Sequence, residues 1–174
     1  KKINYEINFF FKKNILNKNF LDNFSLNIKY LQKIINFCKK KNARLIFTSS
    51  CMYKSSLKSH KETNSLFAYD YYSLSKIICE NIIKAEIKKH VILRIFNLYG
   101  YENFSIIYKI KTKKNIKIVG DPNIERDFVH ISDLFNWIFK ILKTNKNGVF
   151  NVGSGKSFKL KNLLKINKVR LKTK

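Results

Sequence analysis

Ala43-Arg44-Leu45-Ile46-Phe47-Thr48-Ser49-Ser50, followed after a polar loop by Tyr71-Tyr72-Ser73-Leu74-Ser75-Lys76, is the stretch that decides the fold. Its first half is a short apolar run that ends in hydroxyls, the pattern of a strand buried on both faces. The second half opens a helical pattern over residues 71–89, with Leu74, Ile77, Ile78, Ile82 and Ala85 on one side. Upstream, Leu26, Tyr30, Leu31, Ile34, Ile35 and Cys38 recur at helical spacing, which predicts an amphipathic helix over residues 25–41 stopped at Asn42. Downstream, His90-Val91-Ile92-Leu93-Arg94-Ile95-Phe96 reads as a second buried strand. Helices alternating with buried strands imply an α/β fold with a mainly parallel sheet.

The rest of the chain is less sharply patterned. Residues 104–114 are weakly helical, and residues 116–119 read as a short strand closed by the turn Gly120-Asp121-Pro122. Ser132-Asp133 is the expected cap of a helix running to about residue 142, and residues 148–152 form a last short strand. No internal repeat or linker divides the 174 residues, so one domain is expected.

Lys and Arg number 36 against 11 Asp and Glu, a formal charge of +25. An excess of that size raises a polyanion-binding reading. The lysines, however, run from Lys1 to Lys174 among abundant Asn, Ile, Phe and Tyr, with only five Gly and one Pro. That is a uniform compositional bias, and it points to no specific nucleic acid. Hydrophobic residues at 45% and aromatics at 14% exclude a disordered chain. Cys38, Cys51 and Cys79 are too few and too scattered for a disulfide framework. His60, His90 and His130 lack metal-ligand spacing, so no metal site is expected. The apolar run Phe9-Phe10-Phe11 is too short for a signal core, and nothing approaches the roughly 20 apolar residues of a membrane span. A soluble, cytoplasmic protein is expected.

Ligands of open α/β sheets bind beyond the carboxyl ends of the strands. Thr48, Ser49 and Ser50 stand at one such end, and Asn97, Leu98, Tyr99 and Gly100 at the next. Tyr72 and Lys76 are four residues apart, so a helix projects them from nearly the same face. A phenol ionises near pH 10, and an ammonium group held close would favour the phenolate. With a hydroxyl from Ser50 to orient an alcohol, the pair forms a candidate base for a sugar hydroxyl. Tyr71, five residues from Lys76, points elsewhere. The ending Gly153-Ser154-Gly155-Lys156-Ser157 imitates a P-loop, but Phe150 stands where that motif requires Gly.

Taken in order, Leu45-Ile46-Phe47-Thr48-Ser49-Ser50, Tyr72-Ser73-Leu74-Ser75-Lys76 with Glu80, and Leu93-Arg94-Ile95-Phe96-Asn97-Leu98-Tyr99-Gly100 resemble the extended short-chain dehydrogenase/reductase family, NAD-dependent epimerase/dehydratase branch. Gly120-Asp121 with Arg126-Asp127-Phe128-Val129-His130-Ile131, and Phe150-Asn151-Val152-Gly153-Ser154-Gly155, resemble two later motifs of that branch. The resemblance implies a partial Rossmann-like, doubly wound parallel sheet over about residues 1–100 and part of a carboxyl-terminal substrate lobe over about residues 101–174. It implies NAD as cofactor and a nucleotide-sugar as substrate. Tyr72 becomes the catalytic base, Lys76 binds the nicotinamide ribose and tunes Tyr72, and Tyr72 and Ser49 join Lys76 as cofactor-binding residues. Ser50 meets the substrate, with Ser49 as the alternative because the loop to Tyr53 is one residue short. Asn97 and Arg126 would contact the nucleotide diphosphate. Asn27 matches an Asn that begins the preceding helix, either as a cap or buried amide or as a group near the site.

Departures from the family pattern accompany these matches. The Gly-rich pyrophosphate-binding turn and the acidic residue for the adenosine ribose are not in this sequence, Lys54 and Tyr30 replace expected glycines, and no Pro precedes Tyr72. These departures suggest a truncated chain, impaired alone or completed by a separate amino-terminal half. Cys51 and Met52 follow Ser50 where dehydratases carry acids, which favours an epimerase or ketoreductase. The competing reading is a non-catalytic remnant or basic polyanion-binding protein. A homodimer is expected by resemblance alone.

Overall fold

The computed structural model describes residues 5–8, 20–54, 59–100, 105–112, 115–117, 121, 123–166 and 170–172. In chain order the first elements are strand β1 (Tyr5–Asn8), helix α1 (Phe20–Lys41), β2 (Arg44–Ser50), α2 (Tyr71–Glu86) and β3 (His90–Ile95). Then come β4 (Asn97–Tyr99), α3 (Ile106–Thr112), β5 (Asn115–Lys117), β6 (Glu125–His130) and α4 (Ile131–Leu142). The last are β7 (Gly148–Val152), β8 (Ser157–Lys159), α5 (Leu160–Ile166) and β9 (Arg170–Lys172). They fall into two compact units, residues 1–94 with 144–151, and residues 95–143 with 152–174. The α/β architecture is the one expected.

In the first unit, β1 and β2 run parallel with Tyr5 opposite Arg44 and Asn8 opposite Phe47, in a sheet ordered β1-β2-β3-β7. A parallel pair needs a crossover, and α1 supplies it. Leu31, Ile35 and Cys38 repeat along one face of α1 and pack with Leu45 and Phe47 of β2, Cys79 and Ile83 of α2, and Ile92 of β3. Each large aliphatic side chain so buried contributes about 1.5–3 kcal/mol.

Helix α1 begins at Phe20, five residues before the expected start, so Asn27 lies inside it and does not begin it. The Asn27 side chain lies outside the described residues. The early turn was illegible because Asp22 and Asn23 interrupt the apolar period. Asn42 does end the helix. It adopts φ 50°, its N–H meets the Lys39 carbonyl, and the Ala43 N–H reaches back to Cys38 at 2.9 Å. These two bonds satisfy carbonyls that the helix end would leave bare.

Beneath α2 lies a buried polar network. Glu80 and Arg94 are 0% and 3% exposed. The Arg94 guanidinium donates to the Glu80 carboxylate at 2.8 Å through Nη2 and at 3.1 Å through Nε. Its Nη1 donates to the Tyr53 hydroxyl at 3.0 Å and to the Glu62 carbonyl at 2.9 Å. Ser49 Oγ donates to Glu80 at 2.6 Å, and Tyr53 reaches Asn151 on β7. One ion pair therefore ties α2 to three strands.

In the second unit, β4 pairs parallel with β6, and β6 pairs antiparallel with β8. Leu134, Ile138 and Ile141 form the buried face of α4, while Ile110 of α3 packs with Leu160 and Leu164 of α5. The cap of α4 is His130, not Ser132, because the helix starts two residues earlier than expected and the His130 ring accepts from the Ser132 N–H. Gly100, at φ +91°, lies so close to that ring that a Cβ would stand 2.3 Å from it. The expected 116–119 strand meets β5 at residues 116 and 117, and residues 118 and 119, with Gly120 and Pro122 of the expected turn, lie outside the described residues. Asp121 accepts from the Asn123 N–H at 2.8 Å.

Arg94→Met leaves the Glu80 carboxylate buried without its cation and is expected to destabilise the protein by about 3–5 kcal/mol. In urea denaturation, Glu80→Leu combined with Arg94→Met should recover most of that loss. A single Arg94→Met variant as stable as wild type would remove the ion pair from its structural role.

Candidate active site

Helix α2 begins where the chemistry is concentrated. Asp70 caps it, with its Oδ1 accepting from the Ser73 N–H at 2.7 Å while Ser73 Oγ accepts from the Asp70 N–H at 2.9 Å. This reciprocal pair fixes the first turn. The loop before the helix is fastened to the end of β2, since the Phe67 N–H donates to the Met52 carbonyl at 2.7 Å and the Tyr69 hydroxyl to the Tyr53 carbonyl at 3.0 Å. Tyr72, Lys76 and Glu80 then follow at four-residue spacing, which sets all three on nearly one face.

Lys76 is 3% exposed. Its Nζ donates to the Thr48 carbonyl at 2.6 Å and lies 4.7 Å from the centre of the Phe47 ring and 5.8 Å from that of Tyr72. Burial lowers its pKa to about 7, against the opposing pull of Cys79 and Glu80. Tyr72 is half-buried, and its hydroxyl lies within hydrogen-bonding reach of the Ser50 side chain. Burial pushes the phenol up, Asp70 and Cys51 add to that, and the Ser50 bond opposes them. The expected lowering of the phenol by an ammonium neighbour is therefore not found in the free protein. The reason is physical: burial acts on both groups and disfavours the charged form of each.

Of the sequence candidates, Ser50, Tyr72 and Lys76 come together at the carboxyl end of β2. Ser49 is the correction. Its side chain is 4% exposed and its hydroxyl is committed to Glu80, so Ser50 is the residue that meets Tyr72. Asn97 and Arg126 belong to the second unit. There the Asn97 side chain donates to the Asp127 carbonyl at 2.8 Å, and Arg126 is exposed on β6 opposite Phe158. The carbonyl of Thr48 and the hydroxyl of Ser73 are the contributors that sequence reasoning missed. A main-chain acceptor leaves no side-chain signal, but Asp70 three residues before Ser73 is a readable cap. No group of His, Cys, Asp and Glu is arranged to hold a metal, and no helix is long and apolar enough to cross a membrane, among the described residues.

Residues 17–153 match the NAD dependent epimerase/dehydratase family. The chain is 31% identical over 154 residues to an ADP-L-glycero-D-manno-heptose-6-epimerase of Brachyspira hyodysenteriae, covering 74% of this chain and 47% of that protein. It is 32% identical over 181 residues to a dTDP-4-dehydro-6-deoxyglucose reductase of Escherichia coli, covering 94% of this chain and 55% of the relative. The chain thus spans about half the length of the curated relatives it matches. Among solved structures, an NAD-dependent NDP-hexosamine 5,6-dehydratase of tunicamycin biosynthesis superposes with TM-score 0.83 at 20% identity, over 97% of this chain and 63% of that one. A UDP-glucose 4-epimerase of Thermotoga maritima gives 0.81 at 19% identity, over 94% and 60%. These two likenesses concern the fold, and the family match covers most of the chain, so this protein belongs to the NAD-dependent epimerase/dehydratase family.

Proposed function

We propose that this chain carries the Ser50, Tyr72 and Lys76 group of an NAD-dependent enzyme that acts on a nucleotide-linked sugar, as an epimerase or a ketoreductase. The observation that carries the reading is the convergence of those three side chains at the carboxyl end of β2, where open α/β sheets bind ligands. The absence of a carboxylate at Cys51 and Met52 favours epimerase or ketoreductase over dehydratase, and the two relatives cited above are an epimerase and a reductase.

Bound NAD would supply hydride transfer at the sugar carbon. The residues present fit its nicotinamide ribose, through Lys76 and Tyr72. A Gly-rich turn for its pyrophosphate is not among these 174 residues, since the first glycine is Gly100. Tyr72, protonated at neutral pH, is in the form that donates a proton to a keto-sugar oxygen. The reverse step takes a proton from the sugar hydroxyl and needs positive charge nearby, which Lys76 carries about half the time near pH 7. Ser50 would orient the same oxygen. Asn97 and Arg126 would take the nucleotide diphosphate, where a guanidinium suits phosphate geometry.

Calorimetry with NAD at moderate salt tests this directly. Binding by the purified chain should weaken at least about tenfold in Lys76→Ala, the equivalent of one lost hydrogen bond, and should persist in Tyr72→Phe. Equal affinity of wild type and Lys76→Ala, in folded samples, would argue against a cofactor role for Lys76.

The buried lysine also sets a pH dependence. Its pKa falls from 10.5 to about 7 on folding, so the unfolded chain holds more protons between those values. The cost is full below pH 7 and disappears above 10.5, so this group makes stability rise with pH across the window. Lys76→Met should therefore be more stable than wild type at pH 6, by on the order of a few kcal/mol. That advantage should shrink steadily toward pH 10. A difference that stays constant with pH would mean the amine is not desolvated.

A further inference from the structure

In the second unit, Asp127 is the hub of a small clamp. Its Oδ1 accepts from the Ser154 N–H at 2.8 Å and from Ser154 Oγ at 2.8 Å, and its Oδ2 accepts from the Gly155 N–H at 2.9 Å. The glycines permit this closure. A Cβ on Gly153 would stand 2.6 Å from Asp127 Oδ2, and Gly155 adopts φ +75°, where other residues are strained. The turn at 153–155 leads directly into β8, which pairs with β6 so that Asp127 faces Ser157 and Arg126 faces Phe158. Two motifs that lie far apart in sequence are thus the two halves of one device.

The residue beside Asp127 is Arg126. Successive side chains of a strand point to opposite faces. Arg126 is exposed and makes no ion pair among the described residues, while the carboxylate next to it in sequence is engaged by three donors. The Asp127 carboxylate, turned to the opposite face of β6 and engaged by those donors, leaves the guanidinium side of the strand without an acid beside it.

We propose that Asp127 is a positioning residue for nucleotide-sugar binding: by closing the 153–155 turn onto β6, it fixes the register of Arg126 and keeps its guanidinium available for the diphosphate. This rests on the diphosphate role given to Arg126 above. The side chain of Asn97 reinforces the arrangement, because it donates to the main-chain carbonyl of Asp127 itself. Ser154 fills the acceptor that would otherwise turn outward, so Ser154→Ala should weaken the clamp without removing its charge.

The test is a double-mutant cycle read by calorimetry with ADP, dTDP and UDP. Arg126→Ala should weaken binding of the preferred nucleoside diphosphate by at least about tenfold, and Asp127→Asn by about three- to tenfold. If Asp127 acts through Arg126, adding Asp127→Asn to Arg126→Ala costs nothing further. A general loss of structure would make the two effects add. Ser154→Ala serves where Asp127→Asn does not fold, with an expected loss of about two- to threefold that likewise vanishes in the Arg126→Ala background. Additive losses, or full affinity in Asp127→Asn, overturn the positioning role alone. Full affinity in Arg126→Ala, or no binding of any of the three by wild type, overturns the diphosphate role on which it rests.

Discussion

The ion pair between Glu80 and Arg94 is the constraint on which the first unit depends. A carboxylate with no exposure is a heavy cost unless it is paired and hydrogen-bonded, and Arg94, Ser49 and Lys84 meet that requirement. The pair also sets the rotation of α2. Tyr72, Lys76 and Glu80 stand at four-residue intervals, so locking Glu80 against β3 and β2 turns the other two toward the end of β2. An apolar residue at 80 would bury as well, but it would permit the helix to slide or rotate. The directional bonds are what convert a packed helix into one that presents a phenol and an amine at a defined place.

The same logic explains the electrostatic state of the site. Burying α2 this deeply takes Lys76 out of water and drives its pKa to about 7, while the same burial pushes Tyr72 up. At neutral pH Tyr72 therefore rests uncharged and Lys76 about half charged. That state suits a protein awaiting ligand, because a bound negative group or a developing alkoxide alters both pKa values in a low-dielectric setting. Cys79, driven to about 12 by burial, stays a thiol and behaves as a packing residue beside Lys76.

Much of this was legible in the sequence, for identifiable reasons. The two central strands showed as apolar runs because both faces are buried, and α2 showed because its apolar period is clean. Asn42 was readable as a stop because few other residues accept a positive φ. The start of α1 was hidden by Asp22 and Asn23, whose polarity breaks the period without breaking the helix. Strands β4, β6 and β8 were hidden because β4 and β8 span three residues each, β8 is exposed throughout and β6 begins exposed, so the apolar alternation that marks a strand is weak in them. The choice between Ser49 and Ser50 was not readable at all. It turns on which hydroxyl faces Glu80, and adjacent strand residues differ only in the face they take.

The charge balance gives the carboxylates their weight. With 36 basic residues against 11 acidic ones, lysine is the background of the chain and stands in the last turn of each of the five helices among the described residues, where it complements the helix dipole. Acids are scarce enough that their placement is selective. Glu80 anchors α2, Asp70 caps it, Glu62 holds the Asn151 N–H, and Asp127 clamps the 153–155 turn. In a chain with balanced charge, a neighbouring acid can take over a lost contact. With only 11 acids in the chain, a second carboxylate is rarely at hand to do so. The folded arrangement is thus most sensitive to substitution at its few acids, and an abundant charge of one sign makes the scarce opposite charge the structural determinant.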